Sequence, residues 1–362
     1  MRVEVDASVP LAREPGTGHN RWHPDVEPIA RVEPGEVITL ETRDGIDGQL
    51  TRESTHADAA ALDLGLGHPL TGPVFVEGIE PGDVLEVEFL AYETADFGIT
   101  ALIPGFGFLA DLFPDPFVVQ WEIDGDRARS TELPGVAVPG QPFAGVAGVA
   151  PSRELLEETR RRENALRDRG GAVADELPET ALPPEAADGL RTIPPREGGG
   201  NLDIPQLVAG SRLLLPVSVP GALFSVGDLH FAQGDGEVCG TGIEVAGAVT
   251  VRFSVLRGPA WRPTFPAYET PAVPARRCFA TTGLAVQEDG VQESLDLGVA
   301  TRRALLEMLD YLEATRGLGR EPAYALASAA VDLRLSEVVD IPNPVVSALL
   351  PLDVFEGAIG FV

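Results

Sequence analysis

Thirteen consecutive residues, Gly227-Asp228-Leu229-His230-Phe231-Ala232-Gln233-Gly234-Asp235-Gly236-Glu237-Val238-Cys239, hold three carboxylates, one imidazole, one thiol and three glycines. Apolar segments flank them, Leu213 to Val219 before and Val249 to Leu256 after. Buried charge without a partner is costly, so a polar cluster between two such segments must satisfy itself or bind something. Asp228 and His230 stand two apart and would share one face of an extended strand, a spacing that suits two ligands of one metal ion. Asp235-Gly236-Glu237 adds oxygen donors, with glycine permitting a tight turn. The bland alternatives are a hydrogen-bonded Asp228–His230 pair and a solvated Gly-Asp-Gly turn. Cys239 is a poor nucleophile here. Neighbouring acids raise a thiol pKa, so the residue reads as a small buried hydrophobe.

The rest of the composition narrows the function. The chain has 362 residues and a formal charge of -29, from 56 acidic and 27 basic residues. Such a surface repels nucleic acid and anionic membranes, and a neutral or cationic small substrate suits it better. All 27 basic residues are arginine. Without lysine, neither a Ser-Ser-Lys amidase nor a Glu-Lys-Cys nitrilase-type amidase can be built. A GC-rich genome or a salt-loving host would each explain that bias. Two cysteines make no disulfide framework, which favours a reducing compartment. The N-terminus lacks the basic and apolar regions of a secretion signal, and no apolar run nears the roughly 20 residues of a membrane helix. The expectation is a soluble cytoplasmic protein.

Several elements must position the cluster. Pro34-Gly35 and Pro81-Gly82 turns lead into Val37–Glu41 and Leu85–Phe89, where apolar and polar residues alternate as in half-buried strands. Val249, Val251, Phe253 and Val255 repeat that pattern. Residues 98–120, rich in Gly, Pro and Phe, read as a buried loop around a cavity, and 18–25 as a polar loop. Ser152 caps a charged helix running to Arg169, and 172–190 reads as a surface loop. Leu305, Met308, Leu309 and Leu312 place an amphipathic helix at 297–315, with another at 322–330. The predicted class is mainly β (α+β), a β-sandwich or barrel-like core with a few peripheral helices. The predicted organisation is an N-terminal β-rich part (1–150), a helical insertion (151–200) and a C-terminal part (201–362), with the site shared between the first and last.

The chain resembles the acetamidase/formamidase family. The carriers are His19-Asn20-Arg21-Trp22-His23-Pro24-Asp25, Thr71-Gly72-Pro73-Val74-Phe75-Val76-Glu77-Gly78, Pro81-Gly82-Asp83, Gly199-Gly200-Asn201-Leu202-Asp203, the Gly227-to-Glu244 stretch and Val339-Asp340-Ile341-Pro342-Asn343. They run in family order over most of the chain. The resemblance implies hydrolysis of a small amide, formamide- or acetamide-like or a lactam, to carboxylate and ammonia. It also implies a divalent metal and a homo-oligomer. Where many members carry His before the Gly-Gly-Asn triplet, this chain has Gly198.

Amide hydrolysis needs a polarised carbonyl, an activated water and a proton for the departing amine. On this reading Asp44, Asp228 and His230 are the metal ligands, Glu237 the proton shuttle and Glu244 its alternative. Asn201 and Asp235 bind substrate. One imidazole among carboxylates favours zinc, with calcium or manganese as alternatives. Asp44 could equally form its turn, and Asn201 and Asp203 could cap the glycine-rich loop. Trp22 and His23 are expected to pack or bridge a subunit contact, and His56 and His68 have weaker claims. The rival functions are a metal-dependent esterase or lactonase and a non-enzymatic metal-binding β-protein.

Overall fold

The structure, a computed structural model, describes residues 1–259, 262–271, 276–289, 291, 293–337 and 345–356. The two Pro-Gly turns enter strands Val37–Thr42 and Val84–Thr94. Ile38, Leu40, Leu85, Val87 and Phe89 are buried, while Glu86 and Glu88 between them are half-buried. Strand Gly247–Leu256 pairs antiparallel with both and forms the middle of a six-stranded sheet. Arg2–Val3, Arg212–Pro216 and Ala267–Glu269 complete it.

The second sheet carries the site. Its path runs Ala137–Pro139, Arg127–Arg129, Phe117–Asp124, Phe97–Leu102, Glu244–Val245, Phe224–His230, Phe143–Val149 and Gly199–Asn201. Leu70–Val76 also pairs with Phe224–His230, and carries Gly18–His19 and Ala30–Val32 on its own edges. The inner faces of the two sheets share one core. Leu40, Val87 and Val251 lie in the same buried cluster as Val74, Phe143 and Val226, and Phe224 meets Phe253 edge-on at 5.2 Å. Each such side chain contributes roughly 1.5–3 kcal/mol by leaving water. The chain passes from one sheet to the other at Ala246, between Glu244–Val245 and Gly247–Leu256. Strands from before residue 150 and after residue 201 therefore alternate within both sheets.

The helices lie outside the two large sheets but are not all peripheral, since Arg320–Ala330 is buried from Ala323 to Ala330. Leu297–Arg316 buries Leu305, Met308, Leu309 and Leu312, starts at Asp296, whose carboxylate accepts the Val299 N–H, and ends at left-handed Gly317. It packs with Arg320–Ala330 against a sheet of Cys278–Gly283, Val345–Pro351 and Asp332–Glu337. Phe279 stacks on Tyr311 across that contact at 3.7 Å. Arg153–Arg167 starts at Ser152 and buries only Leu156 and Thr159, as a charged surface helix should. No helix among the described residues is long and apolar enough to cross a membrane.

Two segments depart from expectation. Residues 18–25 are not simply a loop, because Gly18–His19 and Arg21–Trp22 are buried short strands. Arg21 is fully buried, with Nη1 donating to the Asn20 carbonyl and Nη2 to the Leu177 carbonyl and the Thr180 hydroxyl. Those bonds also stitch the 177–182 segment to the body. Residues 98–120 include two strands, and only the loop between them, with Ile103 and Phe106, borders a cavity. The expected closing turn at Asp340-Ile341-Pro342-Asn343-Pro344 lies outside the described residues.

Candidate active site

Strand Phe224–His230 is buried along its whole length, so Asp228 and His230 both lie inside the protein. Asp228 Oδ2 stands 3.6 Å from His230 Nε2. Simple strand alternation is not the cause, because Asp228 adopts a left-handed φ of +54°. The strand kinks there, and two glycines make room for the carboxylate. A Cβ on Gly45 would stand 1.8 Å from Asp228 Oδ1, and one on Gly145 would stand 2.7 Å from Oδ2. Glu244 arrives from the neighbouring strand, directly opposite His230 in the ladder. Its Oε1 lies 3.0 Å from His230 Nε2 and accepts the Gly242 N–H at 2.8 Å.

A second pair of acids approaches the same nitrogen. Glu237 Oε1 is 3.9 Å from Nε2, and the Asp203 carboxylate groups with His230 and Glu237 within 4.8 Å. Asp228, His230 and Glu244 form the other group that could hold a metal ion. Asp203, Asp228, Glu237 and Glu244 border a cavity of about 70 Å3, with Ile46, Leu64, Ile103, Phe106 and Ile193 forming apolar wall. At roughly 10–15 Å3 per water, it takes a molecule of a few heavy atoms.

Two expected residues are elsewhere. Asp44 Oδ1 accepts the N–H groups of Ile46 and Gly48, each at 3.0 Å, and its carboxylate belongs to neither acidic group. What that turn contributes to the site is Gly45. Asp235 lines a different cavity of about 150 Å3, where Gln206 donates to its Oδ1 at 2.7 Å. Gly236 at φ +102° and Glu237 at φ +42° reverse the chain, so carboxylates two apart face different cavities. Asn201 does border the site, and its buried Oδ1 has no partner among the described residues.

Crowded, buried acids here are relieved by bound protons or by a cation. Burial pushes Glu237 up to about 8, with Glu244 and Asp228 adding to the rise and His230 opposing it. Burial likewise pushes Glu244 up to about 8. Asp203 rises through burial and through Glu237. Burial acts to raise Asp228 too, but His68 and His230 hold it below the usual carboxylate range. Burial opposes a charge on His230, yet Glu244 and Asp228 raise it. No arginine lines this cavity among the described residues. His230 Nε2, Asp203 Oδ1 and Glu244 Oε2 are buried without a hydrogen-bond partner. A cation fits that set. A single Nε2 serves one ion at a time.

Sequence reasoning undervalued three participants. His68 lines the cavity with Nε2 4.0 Å from Asp228 Oδ2; nothing in its local sequence marks it, since the approach is made by a distant loop. Asp203 was visible only as a possible loop cap, and Gly45 not at all. The other expectations are local. Cys239 is buried, with its thiol pushed up to about 11 by burial. His23 bonds the Asp25 N–H and approaches Asp188 at 3.2 Å, and His56 stacks on Phe117 at 4.3 Å. Gly198 lies beside Trp22, Leu155 and Leu190 in a separate pocket, so its departure from the family pattern does not touch this cavity.

Comparison with known proteins gives the family. The Acetamidase/Formamidase family profile matches residues 4–357. A formamidase of Methylophilus methylotrophus is 34% identical, with 98% of this chain and 93% of the relative covered. An acetamidase of Mycolicibacterium smegmatis is 34% identical, with 91% and 89% covered. Among solved structures, the gamma lactamase from Delftia acidovorans superposes with a TM-score of 0.95 at 35% identity, covering 100% of this chain and 95% of that one. An acetamidase from Bacillus halodurans gives 0.56 at 29% identity, covering 93% and 96%. Matched over nearly its whole length and more than 30% identical to curated relatives, the chain belongs to the acetamidase/formamidase family.

Proposed function

We propose that this protein is a metal-dependent amidohydrolase that converts a small non-peptide amide to carboxylate and ammonia. The observation that carries the reading is His230 Nε2, buried and unpartnered, facing carboxylates at the wall of a cavity of about 70 Å3. Asp228, His230 and Glu244 are the residues that would hold the ion, which moves Glu244 from shuttle to ligand. A divalent cation there supplies Lewis acidity for the amide carbonyl and acidifies water.

The chain's own groups supply the remainder. Asp203 and Glu237 are close enough that ionising both is costly, so the pair favours one shared proton. Glu237, on the cavity wall, takes the proton of the attacking water and delivers it to the departing nitrogen. Asn201 offers its unpartnered side-chain oxygen as an acceptor for the N–H groups of the substrate amide. Ile46, Ile103 and Ile193 hold the acyl side and keep bulk water away.

The test is ammonia release from formamide and acetamide before and after chelation, with zinc or manganese added back. Glu237→Gln should keep its metal and lose about 10²- to 10⁴-fold in turnover. Metal-replete protein that frees no ammonia from any short amide ends the proposal. A lactam is the second substrate class, favoured by the near-complete superposition on a gamma lactamase. A five-membered lactam, read by the amino acid its ring opening yields, and an ester matched to acetamide, read by acid release, belong beside it, since neither frees ammonia. A homo-oligomer in the cytoplasm is the assembly expected from the family, and light scattering of the purified protein checks its subunit number.

A further inference from the structure

Gln233 is the one polar residue of the Gly227–Cys239 stretch in contact with His230 that the proposed reaction leaves without a task. It stands three residues after His230 and is buried. Its Oε1 lies 2.7 Å from His230 Nδ1, and its Nε2 donates to the Asp203 carbonyl at 2.9 Å. That second bond decides the first. A backbone carbonyl can only accept, so the NH2 end of the amide must face Asp203. The oxygen end then faces the imidazole, and Nδ1 must carry the proton between them. Turning the amide over would set oxygen against oxygen at Asp203.

We infer that Gln233 is a positioning residue that keeps the His230 proton on Nδ1 and turns Nε2 toward the carboxylates, where it is free to bind when a cation lies between them. The assignment rests on the amidohydrolase reading for what Nε2 then does, which is to hold a divalent cation with Asp228 and Glu244. The reasoning is geometric. An imidazole without this partner can rotate or shift its proton, and a proton on Nε2 would occupy the place of the ion. Partners of this kind are worth about 10- to 100-fold in metal affinity. Gln233 also ties the ligand His230 to the main chain of Asp203, whose side chain belongs to the opposite acidic pair. A single amide thus holds the two halves of the site in register.

The experiment uses the full chain labelled with 15N at its five histidines. Nitrogen–proton correlation spectra are recorded metal-free and zinc-loaded, for wild type, Gln233→Leu and Gln233→Glu. Zinc affinity is measured by chelator competition. Leucine is chosen because Gln233 also lines the neighbouring cavity of about 150 Å3, and water from there would fill the space an alanine left. In the wild type, His230 Nδ1 should be protonated in both states and Nε2 bare with zinc. Gln233→Leu should lose that single pattern and bind zinc about 10- to 100-fold more weakly. Gln233→Glu, which still accepts from Nδ1 but sets an oxygen against the Asp203 carbonyl, should restore the proton position and only part of the affinity. A bare Nδ1 in the wild type overturns the assignment. So does a Gln233→Leu protein with unchanged spectra and affinity. Wild type that takes no zinc while Nδ1 stays protonated sinks the metal reading and upholds the role of Gln233. Should the leucine variant fail to fold, the wild-type spectra still decide.

Discussion

Replacing Gly45 with alanine should silence the site while sparing the fold. A Cβ there would stand 1.8 Å from Asp228 Oδ1 and 3.0 Å from Glu244 Oε2. Ordinary contact begins at 3.4 Å, so Oδ1 must withdraw by about 1.6 Å. Retreat is blocked by the Gly145 backbone, so close that a Cβ there would stand 2.7 Å from Oδ2. A misplacement of about 1 Å at a reacting centre costs on the order of 10²-fold, so turnover on acetamide or formamide should fall at least that far. Overpacking should cost about 1–3 kcal/mol of stability, within reach of a thermal melt. Gly48→Ala is the control. It sits in the same turn at φ +71° with nothing within 4 Å of its Cβ position. Left-handed strain there should cost about 1–2 kcal/mol and leave turnover alone. Ammonia release, melting temperature and zinc per chain are read for both. A Gly45→Ala enzyme that folds, holds zinc and turns over like wild type would refute the placement of Asp228 at the reacting centre.

Other outcomes follow from the same geometry. Cys239→Ala should keep its turnover and lose about 1 kcal/mol of stability, and alkylating reagents should not inactivate the native wild type, because the thiol is buried. A fall in turnover of Cys239→Ala comparable to Glu237→Gln would contradict this. Asp47 is buried at φ +59°, accepts the Leu11 N–H, and lies 3.8 Å from Arg43. Burial raises it from 3.8 to about 6, so the folded state binds its proton more tightly than the unfolded chain. Its contribution favours the folded state at low pH and is lost as pH rises from about 4 to 6. Asp47→Asn keeps an acceptor, suits the left-handed backbone and removes the charge. Melts across that window should show the variant gaining on wild type as pH rises, and parallel curves would refute it.

The strands were legible because alternation is a local signal. Ile38 and Leu40, and Val249, Val251 and Phe253, face a common core as their spacing requires. The helix at Leu297–Arg316 was legible for the same reason. The site was legible as a list of residue types and not as a geometry. Glu244 was visible, but its pairing opposite His230 depends on strand register, which no neighbouring residue encodes. Asp235 and Glu237 looked equivalent until the positive φ at Gly236 and Glu237 separated them. His68 and Gly45 come from segments about 160 and 180 residues away from the strand they touch, and only the fold makes them neighbours. Asp44 drew attention as a carboxylate in a turn, while the chemistry at that turn lies in the missing side chain of the next residue.

The change of sheet at Ala246 has a mechanical result. Glu244 precedes it by two residues, and the ten-residue strand Gly247–Leu256 follows at once, zipped between Val37–Thr42 and Val84–Thr94. Ala246 itself is pinned by the Ala95 N–H on its carbonyl at 2.9 Å. There is no slack between a ligand and the spine of the opposite layer. An ion that grips Glu244 therefore clamps both layers of the sandwich, and stripping it should loosen amide protons as far away as Phe253, well beyond the cavity rim.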